Sequence, residues 1–261
     1  MPSAIPARTS FILSPIVTPP HTPFDPRAAA RLAAVFAITL AYLIAAPHLP
    51  ALADHDLNAF VSGAVGLLLS AGIVVAALPL RDNMVAVAVG LVVGGAGAAL
   101  LSAVGVLEAA SPFKALLAAA AGYGLARFIF SPLIVYGLAV GVAIGDAFSV
   151  SAGPTRYVLN EQPRVVEFVA LYLPEWGGPD GSYLGISDLI FLAVYLYCAW
   201  RFGLRRRLTA VALCLSFVAS LAIAVWTDVA VPALPLLSVA LLAPNVDRVR
   251  DALRSQVKGL D

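Results

Sequence analysis

The chain has 261 residues, 61% hydrophobic and 12% charged, with a mean hydropathy of +0.93, which is more apolar surface than a soluble core of that size can bury. A membrane protein follows, and the same numbers exclude a disordered tail, a collagen-like fibre and a disulfide-stapled secreted domain. A net charge of +1 gives no reason to expect a nucleic-acid partner.

Residues 1–26 are rich in proline and lack an apolar stretch of signal-peptide length, so they read as a flexible N-terminal tail. From there the chain divides into apolar blocks near the length of about 20 residues that a bilayer core requires. They run approximately 31–47, 57–79, 84–107, 112–127, 130–150, 184–203, 208–227 and 231–244. The expected fold is therefore all-α: a polytopic transmembrane helix bundle of about eight spans. Arg127 and Ser131-Pro132 mark the turn that divides 112–150, because one helix of that length would run to roughly 58 Å, nearly twice the hydrocarbon thickness. Residues 27–130 then form an N-terminal set of helices, 131–246 a second set, and 247–261 a C-terminal tail.

With both termini in the cytoplasm, thirteen of the sixteen Lys and Arg residues fall inside and only Lys114, Arg156 and Arg164 outside. That asymmetry satisfies the positive-inside rule. The long connection 151–183 then lies outside, and Val165 to Leu173 within it reads as a short strand resting on the membrane surface. The expected location is the cell membrane.

Ionisable groups inside the apolar blocks carry the functional signal, since a carboxylate in hydrocarbon is costly unless paired, protonated or wet. Asp146 lies near the outer end of the fifth block and Asp188 near the outer start of the sixth. Both therefore reach the same side of the bilayer. Gly137, Gly141 and Gly145 recur every four residues and lead up to Asp146, a pattern that lets another helix approach closely. On the same side, Pro232 and Pro235 stand three apart at the start of the eighth block, where they leave backbone amides and carbonyls unpaired.

Asp146, Asp188 and the Pro232-Ala233-Leu234-Pro235 element together resemble the presenilin and signal-peptide-peptidase family of intramembrane aspartyl proteases. The resemblance spans roughly Gly141 to Asn245. Gly145-Asp146 stands for the family's Tyr-Asp, Gly185-Ile186-Ser187-Asp188 for its Gly-x-Gly-Asp, and Pro232-Ala233-Leu234 for its Pro-Ala-Leu. It implies an aspartic endopeptidase without cofactor or metal, with Asp146 and Asp188 as a dyad activating water. It further implies that Gly185, Ser187 and Pro232 to Pro235 shape the substrate site, and that transmembrane helices or remnant signal peptides are the substrates. The chain departs at Gly145, at Ser187 and in having eight blocks where the family usually has nine helices. Gly145 and Ser187 favour a rival reading as a proteolytically inactive scaffold or chaperone for membrane helices. A proton-coupled small-solute transporter is a second rival, although no inverted repeat is visible.

Other constellations read more plainly. His48, Asp54, His55 and Asp56 share the first outer loop without a helix to fix a metal geometry. Asp228 beside Trp226 is an interfacial acid, Arg205 to Arg207 a topology anchor, and Gly90, Gly94, Gly95 and Gly97 a helix-packing face. Cys198 and Cys214 lie in apolar runs and serve packing.

Overall fold

The computed structural model describes residues 25–152, 163–229 and 231–258. The chain is mostly helical, with one small sheet. In order, the elements are α1 (Pro26–Ala45), α2 (His55–Ala77), α3 (Met84–Ala103), α4 (Leu107–Ala126), α5 (Pro132–Ala152), α6 (Pro163–Val169), β1 (Ala170–Pro174) and β2 (Gly181–Gly185). They continue with α7 (Ile186–Arg201), α8 (Arg206–Thr227), α9 (Ala233–Leu242) and α10 (Val246–Lys258).

The helix starts are written in short polar residues. Asp25 accepts from Arg27 N at 2.9 Å, Asp54 from Leu57 N at 2.8 Å and Asn83 from Ala86 N at 3.0 Å, each satisfying an amide that the first helical turn leaves free. Gly105 and Gly203, at φ +77° and +65°, end α3 and α7 in the left-handed conformation that glycine adopts without a Cβ penalty. Arg127 and Ser131-Pro132 do separate α4 from α5.

Eight helices, α1–α5 and α7–α9, alternate between two ends of a bundle. One end gathers arginines, where Arg127 donates to the carbonyl of Arg81 and Arg201 to that of Arg127. The other gathers Asp146, Asp188 and the sheet. Five of the eight are long and apolar enough to cross a membrane alone: Pro26–His48, His55–Leu80, Met84–Ala103, Pro132–Ser151 and Arg206–Thr227. Among the described residues the expectation of eight such spans is corrected to five, and the reason is burial. α4 and α7 occupy the middle of the bundle, where protein and not lipid surrounds them. α4 can then hold Ser111, Pro112 and Lys114 in its first half, while α7 has 16 residues and α9 only 10.

Close packing at the centre depends on Gly122. A Cβ there would stand 2.5 Å from both the Ala193 Cβ and the Ile190 carbonyl, so only glycine lets α4 lie this near α7. Gly94 and Gly97 meet Leu117 and Phe113 in the same way, in keeping with the packing face expected on α3.

The expected strand over Val165 to Leu173 is only half realised. Its first part is helix α6, and β1 pairs antiparallel with β2 in the register Ala170↔Gly185 to Pro174↔Gly181. β1 is also buried along its whole length instead of resting on a surface. α4 makes this possible by satisfying the backbone on β1's free side: Ser111 Oγ accepts from Tyr172 N at 2.8 Å and donates to Tyr172 O at 2.9 Å, while Lys114 Nζ donates to Ala170 O at 2.7 Å and to Glu167 O. Lys114, read in the sequence as an outer charge, is therefore an internal helix residue with no exposed surface.

The C-terminal segment, expected as a tail, forms the amphipathic helix α10, whose Val249 and Ala252 pack on the core. The N-terminal tail up to residue 24, together with Arg156 and Glu161, lies outside the described residues.

Candidate functional site

A cavity of about 700 Å³ opens at the sheet end of the bundle. α5 contributes Asp146 and Val150 to its wall, α7 contributes Ile186, Ser187 and Asp188, and the chain entering α9 contributes Val231, Pro232 and the first helical residue Ala233. β2 closes one side through Ser182 to Gly185, and α6 and α8 complete it. Six of the eight residues expected at a site therefore share one cavity. Leu234 reaches it through its backbone, and Pro235 is half-buried behind it in the first turn of α9.

Asp146 is half-buried, and its Oδ2 accepts from the Leu234 amide at 3.1 Å. The Pro-x-x-Pro spacing accounts for that free donor. Pro232 is the N-cap of α9 in extended conformation (φ −64°, ψ 119°), so the amides just after it have no intrahelical partner. An acid near the C-terminal end of α5 is disfavoured by its own helix dipole, and the N-terminus of α9 offsets this.

Asp188 is buried in the first turn of α7, facing the positive end of that helix. The Ser187 hydroxyl lies beside its carboxyl, and Asp146 lies within electrostatic reach of it. Gly185 caps α7 at φ −60°, ψ 135°, a conformation open to any residue. Space is tight here: a Cβ would stand 3.1 Å from Ser187 Oγ and 3.4 Å from Asp188 Oδ2, so the serine side chain would have to give way.

The glycine ridge of α5 does something other than expected. At Gly137, Gly141 and Gly145 an added Cβ would meet nothing within 4 Å, and all three are exposed, so the ridge faces away from the bundle instead of seating a neighbouring helix. The helices bearing the two acids are joined by a buried polar link that sequence reasoning missed. Ser238 Oγ donates to Ala139 O on α5 at 2.8 Å and lies 3.2 Å from the Tyr195 hydroxyl on α7. The signal was present in the spacing, with Ser238 one turn beyond Leu234 and Tyr195 two turns beyond Asp188 on the same helix faces. Phe217, Ser220, Leu221 and Ala224 of α8 also line the cavity unforeseen; among them only Ser220 breaks the apolar pattern.

The remaining sequence candidates stand apart. Asp54 caps α2, Asp56 sits in its first turn, and His55 lies 4.0 Å from Glu175 of the β1–β2 turn. Among the described residues no group of three or more His, Cys, Asp or Glu is arranged to hold a metal. Asp228 ends α8 in the left-handed conformation, exposed and outside the cavity wall. Arg205, part of the expected topology anchor, clasps the base of α10 instead, through Asp247 at 2.9 Å and Pro244 O at 3.0 Å.

In the sheet and its turn, outside the spans, burial raises the carboxyl of Glu175 above its usual range while His55 opposes the shift, and burial pushes the phenol of Tyr172 in β1 up to about 12. No protein-family model, curated protein or solved structure matches the chain.

Proposed function

We propose that the chain is an intramembrane aspartyl protease of the presenilin and signal-peptide-peptidase type, with Asp146 and Asp188 as its dyad. The observation that carries the reading is the meeting of both carboxyl groups with the Pro-Ala-Leu segment in one cavity, where the Leu234 amide holds Asp146. Two neighbouring carboxyl groups do not both ionise readily, so one retains a proton while the other draws one from a water. The water attacks a substrate carbonyl as the retained proton passes to the carbonyl oxygen. The tetrahedral intermediate then collapses with the C–N bond breaking, the carboxyl that took the water's proton giving it to the leaving nitrogen and the other regaining its own from the hydroxyl. A substrate helix must unwind first, because its carbonyls are bonded within the helix. β2, on the cavity wall, offers backbone groups to the unwound stretch.

On this reading all eight bundle helices lie in the bilayer, with residues 131–246 as the catalytic region and both termini cytoplasmic. Substrates then run with their N-termini in the cytoplasm, as remnant signal peptides and type II anchors do. A second reading, a non-proteolytic scaffold for membrane helices, is favoured by Ser187, whose side chain stands beside the Asp188 carboxyl where the family's motif has glycine.

The two separate in a cleavage assay with the purified full chain and a transmembrane-helix substrate. The protease reading expects turnover that Asp146→Asn and Asp188→Asn each abolish without loss of folded protein, and that Ser187→Gly preserves or raises. Undiminished cleavage by either Asn variant would overturn the dyad, and binding of several substrates without cleavage would favour the scaffold.

A further inference from the structure

The arginine end of the bundle concentrates positive charge around one indole. Arg206 lies over the Trp200 ring at 3.9 Å and Arg81, from a different helix end, at 4.7 Å. Arg201 lies 5.9 Å from the Phe130 ring, and Arg127 donates to the carbonyl of Arg81. Four chain segments thus place four arginines at this end, around Trp200, Phe130 and one another's backbone carbonyls. Only Arg81 has a carboxylate partner, Asp82 at 3.3 Å; among the described residues none lies within 4.0 Å of Arg127, Arg201 or Arg206.

Like charges on one face beside apolar surface repel, and an anion bound among them relieves that repulsion. The groups are also fixed, since backbone carbonyls and aromatic faces hold each guanidinium in place. Beside them Trp200 is 41% and Phe130 72% exposed, and Phe128, two residues from Phe130, is 74% exposed, giving exposed aromatic surface next to the charges. Paired positive heads beside exposed aromatic surface complement a molecule with an anionic phosphate head and hydrocarbon chains.

We infer that this recess binds an anionic phospholipid, its phosphate held by Arg201 and Arg206 beside Trp200 and an acyl chain lying on Phe128 and Phe130. Guanidinium groups suit that headgroup because they can donate two parallel bonds to phosphate oxygens. The inference requires only that the bundle sits in a bilayer and is independent of the protease reading.

Trp200 reports on its own site. The full chain carrying Trp176→Phe and Trp226→Phe is placed in nanodiscs containing brominated phosphatidylglycerol or brominated phosphatidylcholine, and indole emission is followed. Half-maximal quenching is expected at a mole fraction about fivefold lower for the anionic lipid. Arg201→Gln with Arg206→Gln should bring the two lipids level, whereas Arg250→Gln with Arg254→Gln on α10 should leave the preference in place. Equal quenching by both lipids in the parent protein would overturn the proposal without recourse to any arginine variant. An equal loss in the α10 pair would overturn it too, by tracing the preference to diffuse charge. Millimolar inorganic phosphate should leave the quenching unchanged; reversal by phosphate would reassign the recess to a soluble anion.

Discussion

Leu234 donates its backbone amide to Asp146 at 3.1 Å across 88 positions of sequence. The bond joins the one acid of α5 to the free first turn of α9, and it depends on the N-cap proline two residues before the donor. Among the described contacts, α5 packs mainly on α9 and α10 and little on α7. The placement of Asp146 is therefore largely set by α9, through this bond and through Ser238.

Gly185 should tolerate no side chain if the carboxyl of Asp188 must keep its place. Gly185→Ala fits the backbone but sets a methyl group 3.1 Å from Ser187 Oγ. Turnover should fall about tenfold or more while stability drops by about 1–3 kcal/mol. Paired cleavage and thermal-unfolding assays check this; unchanged turnover would show that the contact relaxes freely.

Lys114 should matter to the sheet far more than an outer-loop charge would. Lys114→Met leaves the carbonyls of Glu167 and Ala170 without their donor in a buried setting, at a cost of about 2–4 kcal/mol. Hydrogen exchange should accelerate first in α6 and β1. Loss confined to α3 would contradict the role assigned here.

Glu175 gives the β1–β2 turn a pH dependence of defined sign. Its folded-state carboxyl titrates above the usual 4.5 because it is buried. The stabilisation is therefore full below that value and is lost as pH rises through the folded-state value. Limited proteolysis of the turn should become faster between acidic and neutral pH, and Glu175→Gln should flatten the change. A variant with the parent's pH profile would assign the effect to another group.

Orientation can be read from two exposed positions, Asp180 in the β1–β2 turn and Arg207 at the start of α8. In a background of Cys198→Ala and Cys214→Ala, a membrane-impermeant thiol reagent applied to intact cells should label Asp180→Cys and spare Arg207→Cys. The opposite pattern would invert the topology and the direction of substrates while leaving the cavity as described.

Hydropathy made the eight blocks legible because each bundle helix, buried or not, is mostly apolar. It could not distinguish α4 and α7, surrounded by protein, from helices facing lipid: an Ala-rich or Leu-rich run satisfies either environment. The two acids and the Pro232-Ala233-Leu234-Pro235 element were visible because such residues are rare in apolar blocks. β2 was not, since Gly181 to Gly185 carries no alternation and its pairing with β1 is decided by contacts far away in sequence. The glycine ridge misled for a related reason: spacing shows that a helix face is smooth, and only packing decides whether anything lies against it.

The shortness of α7 sets the depth of the chemistry. Its 16 residues rise about 24 Å, against a hydrocarbon layer of about 30 Å. On the proposed reading, with α7 in the bilayer, a carboxyl in its first turn sits below the boundary plane beside β2, and water reaches it through the cavity. Hydrophobic mismatch then becomes a control on the site. A thinner bilayer brings the boundary towards Asp188 and a thicker one buries it further, at a fraction of a kcal/mol for each ångström, so lipid chain length alone should tune how readily the pocket hydrates.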